Sequence, residues 1–195
     1  MDHMNHRKTL KLFALGASVV LVAQAIAAEE PAVPVGLQAE LTAKIVAYDR
    51  NYVARAGGKA KLLIVSKPGD PESTKIANQA KAAFGGLAEV GGVPHEEVTL
   101  AYSGAKSLAD EVAKHKATVV YLSTGLSPDI AAIAEALSGH DVVSIASVAA
   151  DVPKGAVIGF DLVSGKPKLL VHLTQAKKQN AAFKAEALKL MKVFE

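Results

Sequence analysis

Short apolar runs alternate with stretches of helical spacing along most of this chain, and that alternation restricts its fold more than any other feature. Residues 62–65 (Leu-Leu-Ile-Val) form a continuous apolar run bounded by Lys61 and by Ser66-Lys67-Pro68-Gly69. A run of that length reads as a strand buried on both faces. Residues 98–102, 118–122 and 141–148 repeat the signal. Helical patterns lie between them: Ile76, Ala80, Phe84 and Leu87 share one side, as do Ile130, Ile133 and Leu137. Asp70-Pro71-Glu72 marks a helix start, with a capping acid, a proline in the first turn and an acid at the positive end of the dipole. Ser127-Pro128-Asp129 marks another. Strands alternating with helices imply a parallel sheet, covered on both faces and joined by right-handed crossovers.

Both ends depart from the rhythm. Leu37, Leu41, Ile45, Tyr48 and Tyr52 draw an apolar stripe along a first helix that closes near Gly57-Gly58. At the far end, residues 156–163 and 169–173 flank Ser164-Gly165-Lys166-Pro167 and read as an antiparallel hairpin. Thr174-Gln175 then opens a last helix carrying Ala176, Phe183, Ala187, Leu190 and Met191. The expected fold is therefore α/β: a single lobe with a mostly parallel sheet, helices on both faces, a C-terminal antiparallel hairpin and a final helix.

Ahead of this lobe, residues 1–27 have the layout of a secretory signal peptide. Arg7, Lys8 and Lys11 form a positive start, residues 12–26 are free of charge, and Ala25-Ile26-Ala27 supplies small residues for cleavage. Residues 28–36 read as a Pro-containing spacer and residues 37–195 as the domain. The expected product is a free, exported, periplasmic protein; with no cysteine to acylate, a lipoprotein is excluded. Removing the leader takes three basic groups and one acidic group, leaving 19 basic and 18 acidic residues, a net charge of +1. Such a balance carries no nucleic-acid footprint. Without cysteine there is also no disulfide framework.

No motif forces a reaction. Ser103-Gly104-Ala105-Lys106-Ser107 lacks both the glycine directly before the lysine and the earlier glycine that a phosphate-wrapping loop requires. His95, His115, His140 and His172 stand at no metal-ligand spacing, and there is no G-x-S-x-G elbow. Asp110-Glu111 and Glu96-Glu97 are adjacent in sequence and so diverge in direction, which makes them poor acid–base pairs. The chain reads as a non-enzyme, with no cofactor and no metal.

Two constellations remain. Ser66, Ser103, Ser123, Thr124, Ser127 and Ser147 fall at or just beyond the carboxyl ends of the predicted strands, the edge where open α/β sheets bind ligands. Val46 and Val53 lie off the stripe of the first helix, and Phe194 lies past the last one. Left exposed, these three would form an interaction surface for a partner or for a symmetric homodimer.

The element order resembles that of the YfiR-like family of periplasmic regulators. The carrying residues are 43–48 (Ala-Lys-Ile-Val-Ala-Tyr), the strand at 118–122, then 155–160 (Gly-Ala-Val-Ile-Gly-Phe), Gly165-Lys166 and 169–173 (Leu-Leu-Val-His-Leu). Ala176, Phe183 and Leu188-Lys189-Leu190 complete the match, which spans nearly all of residues 37–195. The resemblance implies a single α/β lobe that binds the periplasmic part of an inner-membrane diguanylate cyclase and restrains it, lowering cyclic-di-GMP signalling. The chain departs from the family pattern in having no cysteine, in carrying Ala56-Gly57-Gly58 near the place of an aromatic-Pro pair, and in carrying His172 where Asn is expected. Two functional readings follow. One is a non-catalytic regulator of a membrane signalling protein, touching the membrane only through that partner. The other is a single-lobe solute-binding protein that uses the strand-end crevice.

Overall fold

The computed structural model describes residues 30–195, together with Met1 alone at the N-terminus. The signal peptide expected at residues 1–27 and the first two residues of the spacer therefore lie outside the described residues, Met1 excepted. Seven strands form one sheet in the order β2-β1-β3-β4-β5-β6-β7. They are β1 (Ala60–Ser66), β2 (His95–Ala101), β3 (Val119–Leu122), β4 (Val143–Ala146), β5 (Ile158–Val163), β6 (Lys166–His172) and β7 (Lys192–Phe194). The first five are mutually parallel, β5 and β6 pair antiparallel, and β7 runs parallel to β6. The fold is α/β, as the alternation of patterns requires.

Helices cover both faces. On one lie α1 (Val35–Ile45), α2 (Tyr52–Ala56), α3 (Pro71–Gly85), α6 (Leu173–Lys178) and α7 (Ala185–Leu188), packed with Leu62, Ile64, Val119, Tyr121, Val143 and Ile145. On the other lie α4 (Ala105–His115) and α5 (Ile130–Ala136), over Leu63, Val65, Val120 and Leu122. Strand residues thus alternate between two cores, which is why these runs are apolar throughout. Phe84 and Tyr121 meet edge to face across the first core, with ring centroids 5.9 Å apart. Burying such a ring fully stabilises the fold by roughly 1.5–3 kcal/mol. Asp70 caps α3 by accepting the Ser73 N–H at 3.0 Å, with Pro71 in the first turn.

Several sequence expectations are corrected. The first helix starts at Val35 and ends at Ile45; a 3-10 turn, Val46–Tyr48, and a break at residues 49–51 separate it from α2. The break is held from afar: Asp49 Oδ1 accepts the N–H of Asn51 and, from the C-terminal segment, of Ala182. The buried side of α1 is Val35, Gln38, Ala39, Thr42 and Ile45, with Leu37 and Leu41 only half-buried beside it. Ser127-Pro128-Asp129 forms a turn, and α5 begins one residue later. The hairpin loop is only Ser164-Gly165, both at positive φ (51° and 73°), so Lys166 and Pro167 belong to β6. The final helix is two short helices, followed by a seventh strand that the sequence pattern does not announce.

β5 meets β4 through one residue pair, Ile145 with Ile158. Below it, side chains replace the missing ladder: Ser144 N–H donates to Gln179 Oε1 at 3.0 Å, and Val157 N–H donates to Ser144 Oγ at 3.1 Å. Gln179 ends α6, so this bond ties that helix to β4.

Candidate functional site

The strand order 2-1-3-4-5 places the point where the winding reverses between β1 and β3, and the crevice beyond that point is the usual ligand site of such sheets. The hydroxyl residues at these strand ends differ in burial and in hydrogen bonding. Ser123, buried past the end of β3, is saturated: its hydroxyl donates to the Val65 carbonyl at 2.6 Å and lies 2.8 Å from Ser73 Oγ, which accepts the Lys67 N–H at 2.8 Å. Hydrogens therefore run in one direction from Lys67 through Ser73 and Ser123 to Val65, with none left over for a ligand. Ser66 ends β1 half-exposed, its carbonyl accepting the Tyr102 N–H at 2.8 Å. Ser103 is exposed and donates to Ser107 at 2.8 Å, while Ser127 sits in the turn before α5.

Over the ends of β3 and β4 the chain supplies its own filling. Gln38, fully buried on α1, donates through its amide to the Ser147 carbonyl (3.0 Å) and the Val33 carbonyl (2.9 Å), and its Oε1 accepts the Tyr121 hydroxyl at 2.8 Å. Burial pushes the Tyr121 phenol far above its ordinary range, so it stays a donor. Past the ends of β3 and β4, Thr124 Oγ1 and Ser147 Oγ are buried without a hydrogen-bond partner, as is Thr42 Oγ1 on α1. Charge at the mouth is also matched internally. Lys67 Nζ lies 2.6 Å from Asp129 Oδ2 and 5.4 Å from the centre of the Tyr102 ring. Gln38 and Tyr121 escape sequence reasoning, because a glutamine on a helix and a tyrosine in an apolar strand carry no site motif. The available signal is that Gln38 recurs with Val35, Thr42 and Ile45 on one helical side, making it a polar residue on a buried stripe.

The proposed interaction surface divides. Val46 is fully buried in the first core, so it belongs to packing and not to a surface; the turn at residues 46–48 rotates it inward. Val53 on α2 is 60% exposed. Phe194 lies in β7 opposite His172, half-buried, with the Lys192 ammonium 5.0 Å from its ring centre. Leu162, Val163, Leu190 and Val193 are further exposed apolar residues, on the hairpin and around β7.

Among the described residues, clefts open elsewhere, three of them as follows. One of about 240 Å³ lies between Arg55, Lys116 and His140. Another, of about 170 Å³, lies between the start of α1 and Glu72 and Gln79. A third, of about 370 Å³, lies between α5 and α6. Among the described residues, no group of three or more histidine or carboxylate side chains is placed to hold a metal ion. No described helix is long and apolar enough to cross a membrane.

The sequence matches the family model described as YfiR/HmsC-like over residues 38–192. A search of curated proteins finds no match. Among solved structures, a conserved domain protein from Vibrio cholerae is similar at TM-score 0.55 and 15% identity, over 83% of this chain and 60% of that one. An ABC domain from Streptococcus pneumoniae in complex with L-Trp is similar at TM-score 0.57 and 10% identity, over 80% of this chain and 62% of that one. The chain thus spans about three fifths of each, and at these identities the likeness is one of fold.

Proposed function

The chain belongs to the YfiR/HmsC-like family, and on that footing we propose that it is an exported, non-catalytic regulator that works by binding another protein in the periplasm. The observation that carries the reading is the family match, which spans almost every described residue of the lobe. The partner in this reading is the periplasmic part of an inner-membrane signalling protein, a diguanylate cyclase being the expected class, and binding restrains it. Two features support recognition by surface over recognition by cavity. Gln38 covers the ends of β3 and β4 from within the chain, bonded to the Val33 and Ser147 carbonyls and to the Tyr121 hydroxyl, and apolar side chains such as Val53 and Leu190 stand exposed.

The test uses the membrane cyclase encoded nearest this protein. The purified protein should co-elute with the cyclase's periplasmic portion, and its deletion should raise cellular cyclic-di-GMP. Val53→Asp should weaken the complex while leaving the fold intact. No complex and no change in cyclic-di-GMP would reject the proposal.

A second reading, solute binding at the strand ends, draws on the buried and unpartnered hydroxyls of Thr124 and Ser147 and on the fold likeness to an L-Trp-bound domain. It requires α1 to withdraw Gln38. Calorimetric titration with L-Trp decides it: saturable heat that is lost in Thr124→Val would favour this reading over the first.

A further inference from the structure

The widest of the three clefts, about 370 Å³, is walled by α5, the turn before β5, the end of β6 and α6. Lys154 enters it from the turn, His172 from β6 and Lys178 from α6. Gly155 sets how closely the walls approach: it has φ +122°, and a Cβ there would strike the Ala134 methyl group, so only glycine lets the turn lie against α5.

The donors in this cleft outnumber the acceptors that answer them. His172 Nδ1 accepts the Gln175 N–H at 3.3 Å. A neutral imidazole that accepts at Nδ1 carries its hydrogen on Nε2, and among the described residues that nitrogen forms no hydrogen bond. Lys178 has no ion-pair partner among the described residues. Lys154 has one, Asp151 at 3.1 Å, which leaves two of its three ammonium hydrogens free. The one carboxylate lining the cleft is Glu135. Burial, aided by the Lys178 ammonium, holds the His172 imidazole below its ordinary range, so the ring stays neutral and offers its Nε2 hydrogen as a donor.

We propose that this cleft binds a small multivalent oxyanion, a polycarboxylate or a phosphate, whose oxygens bridge Lys154 and Lys178 and accept the His172 Nε2 hydrogen. The site is distinct from the strand-end crevice and does not depend on the regulatory reading. Glu135 opposes the anion and limits its affinity.

Purified protein is titrated separately with citrate and with inorganic phosphate, followed by NMR at the His172 ring and by calorimetry. At least one probe should saturate at millimolar concentration or below and raise the pH at which His172 titrates. Lys178→Ala should weaken binding about fivefold, the scale of one partly exposed ion pair. Lys178→Glu should abolish it, and Glu135→Gln should tighten it. Saturation by citrate alone assigns a carboxylate ligand, by phosphate alone a phosphate, and by both the shared oxyanion chemistry. The proposal is overturned if neither probe moves His172, or if folded Lys178→Glu binds as tightly as the wild type.

Discussion

Replacing Arg55 with methionine should destabilise this lobe more than any exposed substitution, because it strands a buried negative charge. The Asp49 side chain is fully buried and that of Arg55 is 2% exposed, with Nη1 2.8 Å from Asp49 Oδ2. Arg55 Nε also reaches Asp141 at 2.5 Å, and Nη2 donates to the Asn180 carbonyl at 2.9 Å. One guanidinium therefore ties the break after α1 to the segment that follows α6. In Arg55→Met the Asp49 carboxylate keeps its two backbone donors, from Asn51 and Ala182, but loses its cation. Removing one member of a buried pair costs about 3–5 kcal/mol, a large share of a total stability of about 5–15 kcal/mol. For a domain of this size that lowers Tm by roughly 6–20 °C, at about 2–4 °C per kcal/mol. Asp49→Asn keeps an oxygen for the backbone donors and should cost less, about 1–3 kcal/mol. Urea denaturation followed by circular dichroism, run as a double-mutant cycle, measures both losses and their coupling. Because the pair is buried, added salt should change little. A loss below about 1 kcal/mol in Arg55→Met would refute the reasoning, since that is the range of an exposed pair.

Tyr121→Phe should cost about 1–3 kcal/mol in the same assay by leaving Gln38 Oε1 buried without a donor; a neutral effect would mean water replaces the hydroxyl. The His172 imidazole is held low in the folded state, so the unfolded chain takes up its proton first. Its contribution to stability is present above the unfolded value, about 6.5, and fades as pH falls through the folded one. His172→Gln should therefore flatten the acid side of the Tm–pH curve, and parallel curves for the two proteins would refute this. Light scattering tests self-association through Val53: a dimer in the wild type that Val53→Asp converts to a folded monomer supports it, and a wild-type monomer rejects it.

The strands and α3 were legible because their signals are local. A continuous apolar run and an Asp-Pro start owe nothing to distant residues, and β1, β3 and the Asp70 cap lie where those patterns put them. The ends were less legible because distant contacts shape them. Leu41, Ile45, Tyr48 and Tyr52 are spaced for one helix, yet the chain breaks at Asp49, whose partner Ala182 stands 133 residues away. At the other end Phe183, Ala187 and Met191 also keep helical spacing, and all three are buried. They reach the core from a bridge to Asp49, from α7 and from the turn after it. Asn180, at φ 54°, turns the chain out of helix. Periodicity identified which residues are buried there, but not what backbone carries them. Three residues suffice for β7, too few for any pattern, and its place follows from pairing with β6.

Hydroxyls at strand ends have two uses, and the sequence cannot separate them, since the choice depends on what else reaches the same atoms. Ser123 spends its hydrogen on the Val65 carbonyl, and the Asp70 cap brings Ser73 to 2.8 Å, where its hydroxyl donates to Ser123. The Ser147 carbonyl is taken by the Gln38 amide from α1, while the Thr124 and Ser147 hydroxyls are buried without a partner. The cleft at His172 is different in kind. Its donors come from residues that no strand-end rule selects: Lys154 in the turn before β5, His172 at the end of β6 and Lys178 on α6. A mostly parallel sheet that covers the ends of β3 and β4 with its own first helix leaves donors unanswered elsewhere, at Lys178 and at His172 Nε2, in the cleft between α5 and α6.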